Sequence, residues 1–537
     1  MRRLLFPALA LAAATVSRPA AAETAYTITE TLIGEWLWDN GNGEPNDDYY
    51  WDIKNRLNIG IRGEGLDAGL RVDTGTFRFF YPNWMGDETD EERAERERAW
   101  YLRHGVEPDE QGEYGHVGDY RLERAYATVD LARDWRLTGG DFYAHIGRGL
   151  VLSLRKEDEL GLDSALRGGR LDGRLLDRVD LTLMGGLVNV TNVDERFNLV
   201  SEDPLDVISA ARVAVDLWEG NRVSLHVMDM SPHRDDATLE NLVAYGGALE
   251  FVDLPYDLQL YAELDGLHRE NMDAASDDAF AAYMDASGIF GPVQLGLEYK
   301  EYHDFAIVST ESDALNVNWP YNRPPIADQE DQLIESEYDV RGGRARVEWQ
   351  VADWLVLLAA CAGSQDLSDA GHDAVHAYGG FEIYWDEGQS VLRGTAGYRH
   401  AWGDTLTGGT ETYRTLVHAK VDLSLHVWGP LSLQANVLHE EWSRSDLGIM
   451  YDYRRGTTAL SLDWAGIGGV FGTFEYDTED ARAEHWFGAG GLQWFALDWL
   501  TVRARAGSQR GGRKCLAGVC REFPPFDGVR LELIFRI

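Results

Sequence analysis

Long stretches of the sequence alternate between apolar and polar residues with a period of two. The pattern lasts for twelve residues in segment 51–62 and recurs in segments 413–427 and 529–537. Alternation of this kind indicates β-strands with one apolar face. Strands of soluble sandwiches run about five or six residues, whereas a tilted strand needs about 9–11 residues to cross a bilayer. The lengths therefore favour strands that span a membrane.

Short turn signals recur along the chain, and longer polar insertions lie between them. Eleven tight turns can be placed, at residues 63–67, 133–134, 173–177, 219–221, 253–256, 291–292, 352–353, 386–389, 429–430, 465–468 and 497–498. Outer-membrane barrels join their strands by tight turns on the periplasmic side and by long loops outside. Eleven hairpins provide 22 strands, and the segments 26–38 and 529–537 bring the number to 24. Weak segments near Leu150 and Ala279 leave 22 or 26 strands as alternatives.

The N-terminal residues have the pattern of an export signal. Arg2 and Arg3 precede an apolar stretch at residues 4–16, and Ala20 and Ala22 have the small-residue spacing that a signal peptidase recognises. We expect a signal peptide at residues 1–22 and a mature domain at residues 23–537, in which no run of about 18 apolar residues predicts a transmembrane helix. We predict an all-β fold, a single transmembrane antiparallel β-barrel of about 24 strands with short periplasmic turns and long acidic external loops. Its location would be the outer membrane of a Gram-negative bacterium.

Acidic residues dominate the charge of the chain. The 49 Lys and Arg residues face 91 Asp and Glu residues, which gives a formal net charge of −42. This balance excludes nucleic acid as a partner, because phosphate contacts need clustered cations. Much of the acid lies in a predicted external loop at residues 82–118, within which segment 87–103 has the charge distribution of a short helix. A second acidic loop is predicted at residues 303–338. Separately, the cluster of acids and amides at residues 39–48 offers oxygen ligands for Ca²⁺, and we expect no other metal site. The candidate Ca²⁺ ligands are Asp39, Glu44, Asp47 and Asp48.

The cysteines and the catalytic motifs point to no particular chemistry. Three cysteines are too few for a disulfide scaffold or a Cys-rich zinc module. Cys515 and Cys520 are close enough in sequence to form a local disulfide in an oxidising compartment. The sequence has no Gly-x-Ser-x-Gly elbow, no His-Glu-x-x-His pair and no phosphate-binding Gly-Lys-Ser/Thr loop. We therefore predict a protein that is not an enzyme and uses no cofactor.

The polar faces of the first and last strands carry several cations. Barrel closure makes these strands neighbours, so the cations would form a basic stripe along the seam of the lumen. They are Lys54, Arg56, Arg62, Arg71, Arg503, Arg505, Arg530 and Arg536. Two interpretations fit this pattern. The cations guide an anionic solute through an aqueous lumen, or they pair with Asp52, Asp73 and Glu532 across strands and only stabilise the wall.

The segment after the fifth strand interrupts the alternation. Gly147 and Gly149 flank Arg148, and the apolar residues 150–154 are poorly suited to an exposed outer loop. An insertion that folds back into the lumen would explain both features, since the surrounding protein shields its backbone at membrane depth. We expect such a constriction loop at residues 148–170, and the alternative is that residues 150–154 form the top of the sixth strand. The cations at the constriction would be Arg148, Arg155, Lys156, Arg167 and Arg170.

A short part of this segment also resembles a known family. The motifs Gly-Asp-Phe-Tyr at residues 140–143, Gly-Arg-Gly-Leu at residues 147–150 and Leu-Arg-Gly at residues 166–168 resemble an uncharacterised family of large outer-membrane β-barrel proteins. The resemblance covers residues 140–170, and the remainder of the chain shares only general barrel patterning. It implies the same fold and location, and it implies no activity or site.

The sequence favours a channel over other functions. We predict a porin-like channel or export conduit in which acidic loops and a narrower basic zone select solutes by charge and size, such as anionic solutes or a polysaccharide. The alternative is a structural barrel that anchors acidic loops for adhesion or for bridging cations and lipopolysaccharide. The expected partners are outer-membrane lipid and lipopolysaccharide, the barrel assembly machinery and, for an export conduit, a periplasmic partner.

Overall fold

A computed structural model of the chain describes residues 24–39, 49–79, 89, 94, 98, 117–132, 134–157, 161–194, 199–200, 203–218, 220–233, 239–271, 277–312, 318–325, 338–367, 372–404, 411–446, 449–479, 485–516, 519–523 and 525–537. The predicted signal peptide, nearly all of the loop at residues 82–118 with its predicted helix, and the Ca²⁺ candidates Glu44, Asp47 and Asp48 lie outside these residues. Within the described ranges, no helix is both long enough and apolar enough to cross a membrane.

Twenty-four antiparallel strands form the wall of one closed β-barrel in the described part of the chain. The main sheet contains 25 strands, of which the two-residue strand Lys156–Glu157 is a small addition beside the wall. The last wall strand pairs with the first, for example at Leu533 and Leu32, and this pairing closes the ring. The predicted all-β antiparallel barrel of 24 strands is thereby confirmed. We number the wall strands β1 (Ala25–Leu37), β2 (Tyr50–Gly63), β3 (Leu66–Phe79), β4 (Val117–Ala132), β5 (Trp135–Phe142), β6 (Leu162–Leu175), β7 (Val179–Val190), β8 (Val207–Trp218), β9 (Asn221–Ser231), β10 (Leu239–Leu254), β11 (Leu258–Asn271), β12 (Asp277–Phe290), β13 (Val293–His303), β14 (Val340–Ala352), β15 (Leu355–Asp366), β16 (His372–Trp385), β17 (Ser390–Asp404), β18 (Glu411–Trp428), β19 (Leu431–Asp446), β20 (Ile449–Trp464), β21 (Gly468–Asp477), β22 (Trp486–Leu497), β23 (Leu500–Gln509) and β24 (Phe526–Arg536).

The connections at the two ends of the barrel differ in length. All eleven predicted tight turns join strands at the same end, from the β2–β3 turn to the β22–β23 turn. The turn expected at residues 173–177 lies slightly later, because β6 continues to Leu175 and the reversal uses Leu176 and Asp177 at positive φ, 53° and 55°. The opposite end carries the longer connections, among them residues 80–116, 143–161 and 304–339.

Alternation along the wall strands separates an apolar outer face from a polar inner face. On β11, Leu260 and Leu264 are 37% and 62% exposed, whereas Tyr261, Glu263 and Asp265 are buried. Successive side chains of a strand point to opposite faces, so these two sets lie on opposite sides of the wall. The exposed leucines suit a lipid-facing band, and the buried residues point into the barrel.

Tryptophans cluster on the surface at the short-turn end. Trp218, Trp354, Trp428, Trp464 and Trp499 each lie beside a short turn, and their exposed fractions run from 43% to 72%. Large aromatic rings are favoured at the level of the lipid headgroups because they are apolar with one polar edge. Their position therefore marks one rim of the lipid-facing band.

A small hairpin between β23 and β24 carries the two cysteines of the predicted disulfide. Its strands are Gly512–Leu516 and Val519–Phe523, and the backbone places Cys515 directly opposite Cys520. Directly opposed residues of antiparallel strands have Cα atoms about 4.5–5.5 Å apart, a separation that a disulfide can bridge. By contrast, Cys361 on β15 is a free and exposed cysteine.

We expect the Cys515–Cys520 disulfide to form in protein isolated from an oxidising compartment. Alkylation of the denatured protein followed by mass spectrometry should then label one cysteine without reductant, Cys361, and all three after reduction. Labelling of all three cysteines without reductant would contradict the disulfide.

Candidate functional site in the barrel lumen

An inserted hairpin leaves the wall between β5 and β6 and packs inside the barrel. Its two strands, Ala144–Ile146 and Leu152–Leu154, pair with each other and not with the wall. The side chains of Ile146, Leu152 and Leu154 are completely buried. Residues 150–154 are therefore not the top of the sixth wall strand, which begins at Leu162.

The inner face of one side of the wall is apolar where the hairpin rests on it. Most inner faces of the barrel are polar, but strands β7 to β14 contribute inward-facing methionine, isoleucine, leucine, alanine and tyrosine side chains. This surface and the hairpin form one continuous hydrophobic core, with Met184, Val188, Ile208, Met228, Met230, Leu242, Ala244, Leu267, Ala281 and Tyr283 on the wall side. Burial of apolar area on both partners stabilises the hairpin against this side of the lumen.

A second inserted segment, from the β13–β14 connection, holds the hairpin in place. The amide of Ser153 donates to the carbonyl of Tyr321 at 2.7 Å, and the amide of Arg323 donates to the carbonyl of Gly149 at 2.8 Å. The side-chain amide of Asn322 donates to the carbonyl of Leu150 at 2.8 Å. These bonds satisfy hairpin backbone groups that have no wall strand beside them, as buried backbone requires. The two inserts therefore form one unit.

The cations on the hairpin are tied to neighbouring groups. The backbone amide of Arg148 donates to Glu263 Oε2 at 2.8 Å, and its guanidinium lies 4.6 Å from the ring centre of Tyr261. Arg155 forms an ion pair with Glu157, with 2.5 Å between Nε and Oε1, and Lys156 is exposed. Arg148 and Arg155 thus lie on the insert. Arg148 contacts strand β11 of the wall, and Arg155 contacts the nearby Glu157.

Burial changes the proton affinity of two basic groups in the inserts. Burial, assisted by the positive charge of Arg155, lowers the pKa of Arg323 to about 10. Burial, again assisted by the positive charge of Arg155, also lowers the pKa of His145. Arg323 therefore remains charged at neutral pH, and His145 is neutral there.

The other two predicted constriction cations belong to the wall. Residues 162–175 form β6, so Arg167 and Arg170 are wall residues. Arg167 Nε is 2.9 Å from Asp141 Oδ1, and Arg170 Nε is 2.8 Å from Asp172 Oδ2. The inserted segment is therefore shorter than the predicted 148–170, and it begins earlier, after β5 ends at Phe142.

Acidic partners accompany the cations that were predicted along the seam. Lys54 Nζ is 3.2 Å from Asp52 Oδ2 and 3.4 Å from Glu35 Oε2. The remaining pairs follow the same principle: Arg56 with Asp73, Arg62 with Asp67, Arg71 with Asp73 and Asp163, Arg503 with Glu532, and Arg530 with Glu35. Arg536 donates to the hydroxyl of Thr501 at 2.9 Å. The seam is a mixed-charge network. This arrangement matches the interpretation in which the cations pair with acids of the wall.

Arg505 differs from the other seam cations. It lines a cavity of about 530 Å³ on the inner face of β20 to β24, next to Arg503 and Arg530. The guanidinium of Arg505 lies 5.3 Å from the ring centre of Phe526. Its Nε and Nη2 atoms are buried and have no hydrogen-bond partner among the residues described. An anionic group that entered the cavity could accept hydrogen bonds from these atoms.

The sequence interpretation missed several residues that shape the lumen. Asp163 receives ion pairs from both Arg71 and Arg124 and joins β3, β4 and β6. In the described part of the chain, a cluster of side chains that could hold a metal ion lies beneath the hairpin. It consists of His226, Glu263 and Asp265. The sequence signal for this cluster was the pair of acids Glu263 and Asp265, which lie two residues apart on the inward face of β11. Alternation alone does not say which distant residue lies near them.

A comparison with protein families found one model that matches part of the chain. The model of a family of unknown function, DUF6029, matches residues 113–198, a range that includes the Gly-Asp-Phe-Tyr and Gly-Arg-Gly-Leu motifs. No curated protein matches the chain.

Several solved structures of membrane barrels are similar to the chain. The siderophore receptor PirA from Pseudomonas aeruginosa is 9% identical with a TM-score of 0.47, and the match covers 97% of this chain and 81% of that chain. The FrpB iron transporter from Neisseria meningitidis is 11% identical with a TM-score of 0.45, over 95% of this chain and 81% of that chain. The translocation pore of the P pilus usher PapC is 9% identical with a TM-score of 0.38, over 95% and 99% of the two chains. At such identities the likeness concerns the fold alone.

Proposed function

We propose that the protein is an outer-membrane conduit for charged, hydrophilic solutes and that Arg505 favours anionic groups. The observation that carries the proposal is the uneven filling of the lumen. Among the residues described, the two inserts rest on the inner face of β7 to β14, whereas the Arg505 cavity lies along β20 to β24. Strands β10 and β22, near the centres of these regions, are twelve positions apart in the ring of 24. The filled side and the charged cavity therefore face each other.

The size of the wall supports a lumen wide enough for such a path. Neighbouring strands are about 4.8 Å apart and tilt by about 40° in such barrels. A ring of 24 strands then has a backbone diameter of roughly 45–50 Å. A hairpin with two three-residue strands fills only part of that width.

The charges on the open side support a preference for anions. Of the cavity's charged side chains, Arg503, Arg505, Arg510 and Arg530 are basic, and Glu35, Asp463 and Glu532 are acidic. One more cation than anion, together with the unpaired donors of Arg505, favours an anionic group in the cavity. No covalent chemistry is needed for this function, and lipid, lipopolysaccharide, the assembly machinery and a periplasmic export partner remain the partners we expect.

Planar-bilayer recording tests the proposal. We expect the folded protein to conduct ions, and we expect the reversal potential in a salt gradient to show a preference for anions. Arg505→Gln should reduce that preference by about two-fold, because the cavity loses one of its positive charges. Arg505→Lys is the matched control and should retain most of it, since the charge remains.

Two results would count against the proposal. Equal anion selectivity of the wild type and of Arg505→Gln would show that Arg505 does not cause a preference for anions. Absence of conductance in both the wild type and a variant without the hairpin would contradict the conduit and favour a structural barrel that anchors its external loops.

A further inference from the structure

Three side chains of metal-ligand type are buried together on the inner face of the wall beneath the hairpin. His226 lies on β9, and Glu263 and Asp265 lie on β11; their exposed fractions are 5%, 3% and 1%. One ligand atom from each side chain lies within 4.8 Å of the other two. The period-two alternation directs both acids of β11 to the same inward face.

A glycine on the strand between them lets His226 and Asp265 meet. Gly246 on β10 is in register with both residues. A Cβ atom at this position would lie 1.9 Å from Asp265 Oδ1, so any other residue would displace the carboxylate. Across this gap, His226 Nε2 donates to Asp265 Oδ1 at 2.6 Å.

Each of the three side chains also has a buried polar atom without a partner. His226 Nδ1, Glu263 Oε1 and Asp265 Oδ2 have no hydrogen-bond partner among the residues described. The other oxygen of Glu263, Oε2, accepts from the hydroxyl of Tyr261 at 2.5 Å and from the amide of Arg148 at 2.8 Å. Unpaired polar atoms are costly in a buried site. A cation among the three side chains would bind carboxylate oxygens of Glu263 and Asp265 and His226 Nε2, the ring nitrogen that faces Asp265.

We propose that His226, Glu263 and Asp265 bind one divalent transition-metal ion, and that Zn²⁺ fits the site best. An imidazole with two carboxylates is a ligand set that Zn²⁺ accepts, and three protein ligands leave a fourth position for water. Ca²⁺ fits less well, because it takes six to eight oxygen ligands. Two ligands of one Zn²⁺ ion lie about 3.3 Å apart, so the 2.6 Å contact between His226 and Asp265 must lengthen slightly when the ion replaces its proton.

The site would connect the wall to the insert. The ion would join β9 to β11 directly. Because Glu263 Oε2 also accepts the amide of Arg148, the ion would fix the carboxylate that holds the hairpin loop. Gly147 lies against the same carboxylate, where a Cβ atom would come within 1.8 Å of Oε1. The proposal concerns metal binding and does not depend on transport.

Isothermal titration with ZnCl₂ tests the site on the full chain, folded in detergent micelles and freed of metal by a chelator. We expect one Zn²⁺ ion per chain in the wild type. His226→Gln and Asp265→Asn should each weaken binding by about ten-fold to 100-fold. The matched control is His268→Gln. His268 Nδ1 also contacts an aspartate, Asp278, at 2.7 Å, but the two side chains are 39% and 85% exposed.

The folded fraction of every variant is measured by resistance to unfolding in SDS at room temperature, so that a folding defect is not mistaken for lost binding. Weaker Zn²⁺ binding in His226→Gln and Asp265→Asn, with wild-type affinity retained in His268→Gln, would support the site. Absence of Zn²⁺ binding by the folded wild type, or equal affinity in folded His226→Gln, would overturn it.

Discussion

Replacing residues 144–157 by a short Gly-Ser linker is expected to raise the single-channel conductance by about two-fold or more, because the hairpin occupies one side of the lumen. The linker would join β5 to β6 without shortening either wall strand. Deletion of the sequence-predicted range 148–170 would be a poorer test, since residues 162–170 belong to β6. Planar-bilayer recording of the two proteins at the same salt concentration measures the effect.

A point variant guards this prediction against a failure of the deletion to fold. Leu152→Asp places a charge in a completely buried position of the hairpin, where an unpaired charge is strongly unfavourable. We expect it to unseat the hairpin and to raise the conductance in the same direction. Unchanged conductance in both folded variants would mean that the hairpin does not limit flow.

Arg71→Ala should cause the largest loss of stability among the charged residues of the seam. Arg71 is buried and forms a hydrogen-bonded ion pair with Asp73, with 2.5 Å between Nη2 and Oδ2, and a second pair with Asp163 at 2.8 Å. Removal of the cation leaves two buried carboxylates with fewer partners, and such losses typically cost about 3–5 kcal/mol. We expect a value near the lower end, about 3 kcal/mol, because Arg56 still contacts Asp73 and Arg124 still contacts Asp163.

The matched control for this substitution is Arg62→Ala on the neighbouring strand. Arg62 also pairs with an aspartate, Asp67, at 2.8 Å, but its side chain is 78% exposed. An exposed pair contributes less than about 1 kcal/mol because water screens it. Denaturant unfolding of both variants in lipid vesicles, followed by tryptophan fluorescence, measures the difference. Similar losses for Arg71→Ala and Arg62→Ala would show that burial does not set the strength of these pairs.

The wall of the barrel was predictable because its signals are local. Each transmembrane strand must present apolar side chains to lipid on every second residue, and each short turn needs residues that reverse the chain within a few positions. Segment 51–62 carries the first signal by itself, and it forms most of β2. The displaced turn at Leu176 and Asp177 shows how far such boundaries can move when neither residue is a glycine.

The inside of the barrel was less predictable because its contacts are distant in sequence. The hairpin was identified as an interruption of the alternation, but its range depended on where β6 begins. Arg71 and Asp163 are 92 positions apart, and no pattern on either strand names the other as its partner. The same holds for His226 and Asp265, whose meeting depends on Gly246 of the strand between them.

The sequence by itself therefore determined an all-β wall of about 24 strands, the approximate positions of the turns and the apolar outer face, because the solvent around each strand imposes them locally. Only the tertiary structure decided which inward-facing charges neutralise each other, which side of the lumen the inserts fill and where buried polar atoms remain unpaired. Closure of the ring brings these groups together across many strands, and alternation specifies only the face on which a side chain lies. The seam illustrates both parts. Its cations were visible in the sequence, and the acidic side chain that each one contacts followed only from the register of the strands around it.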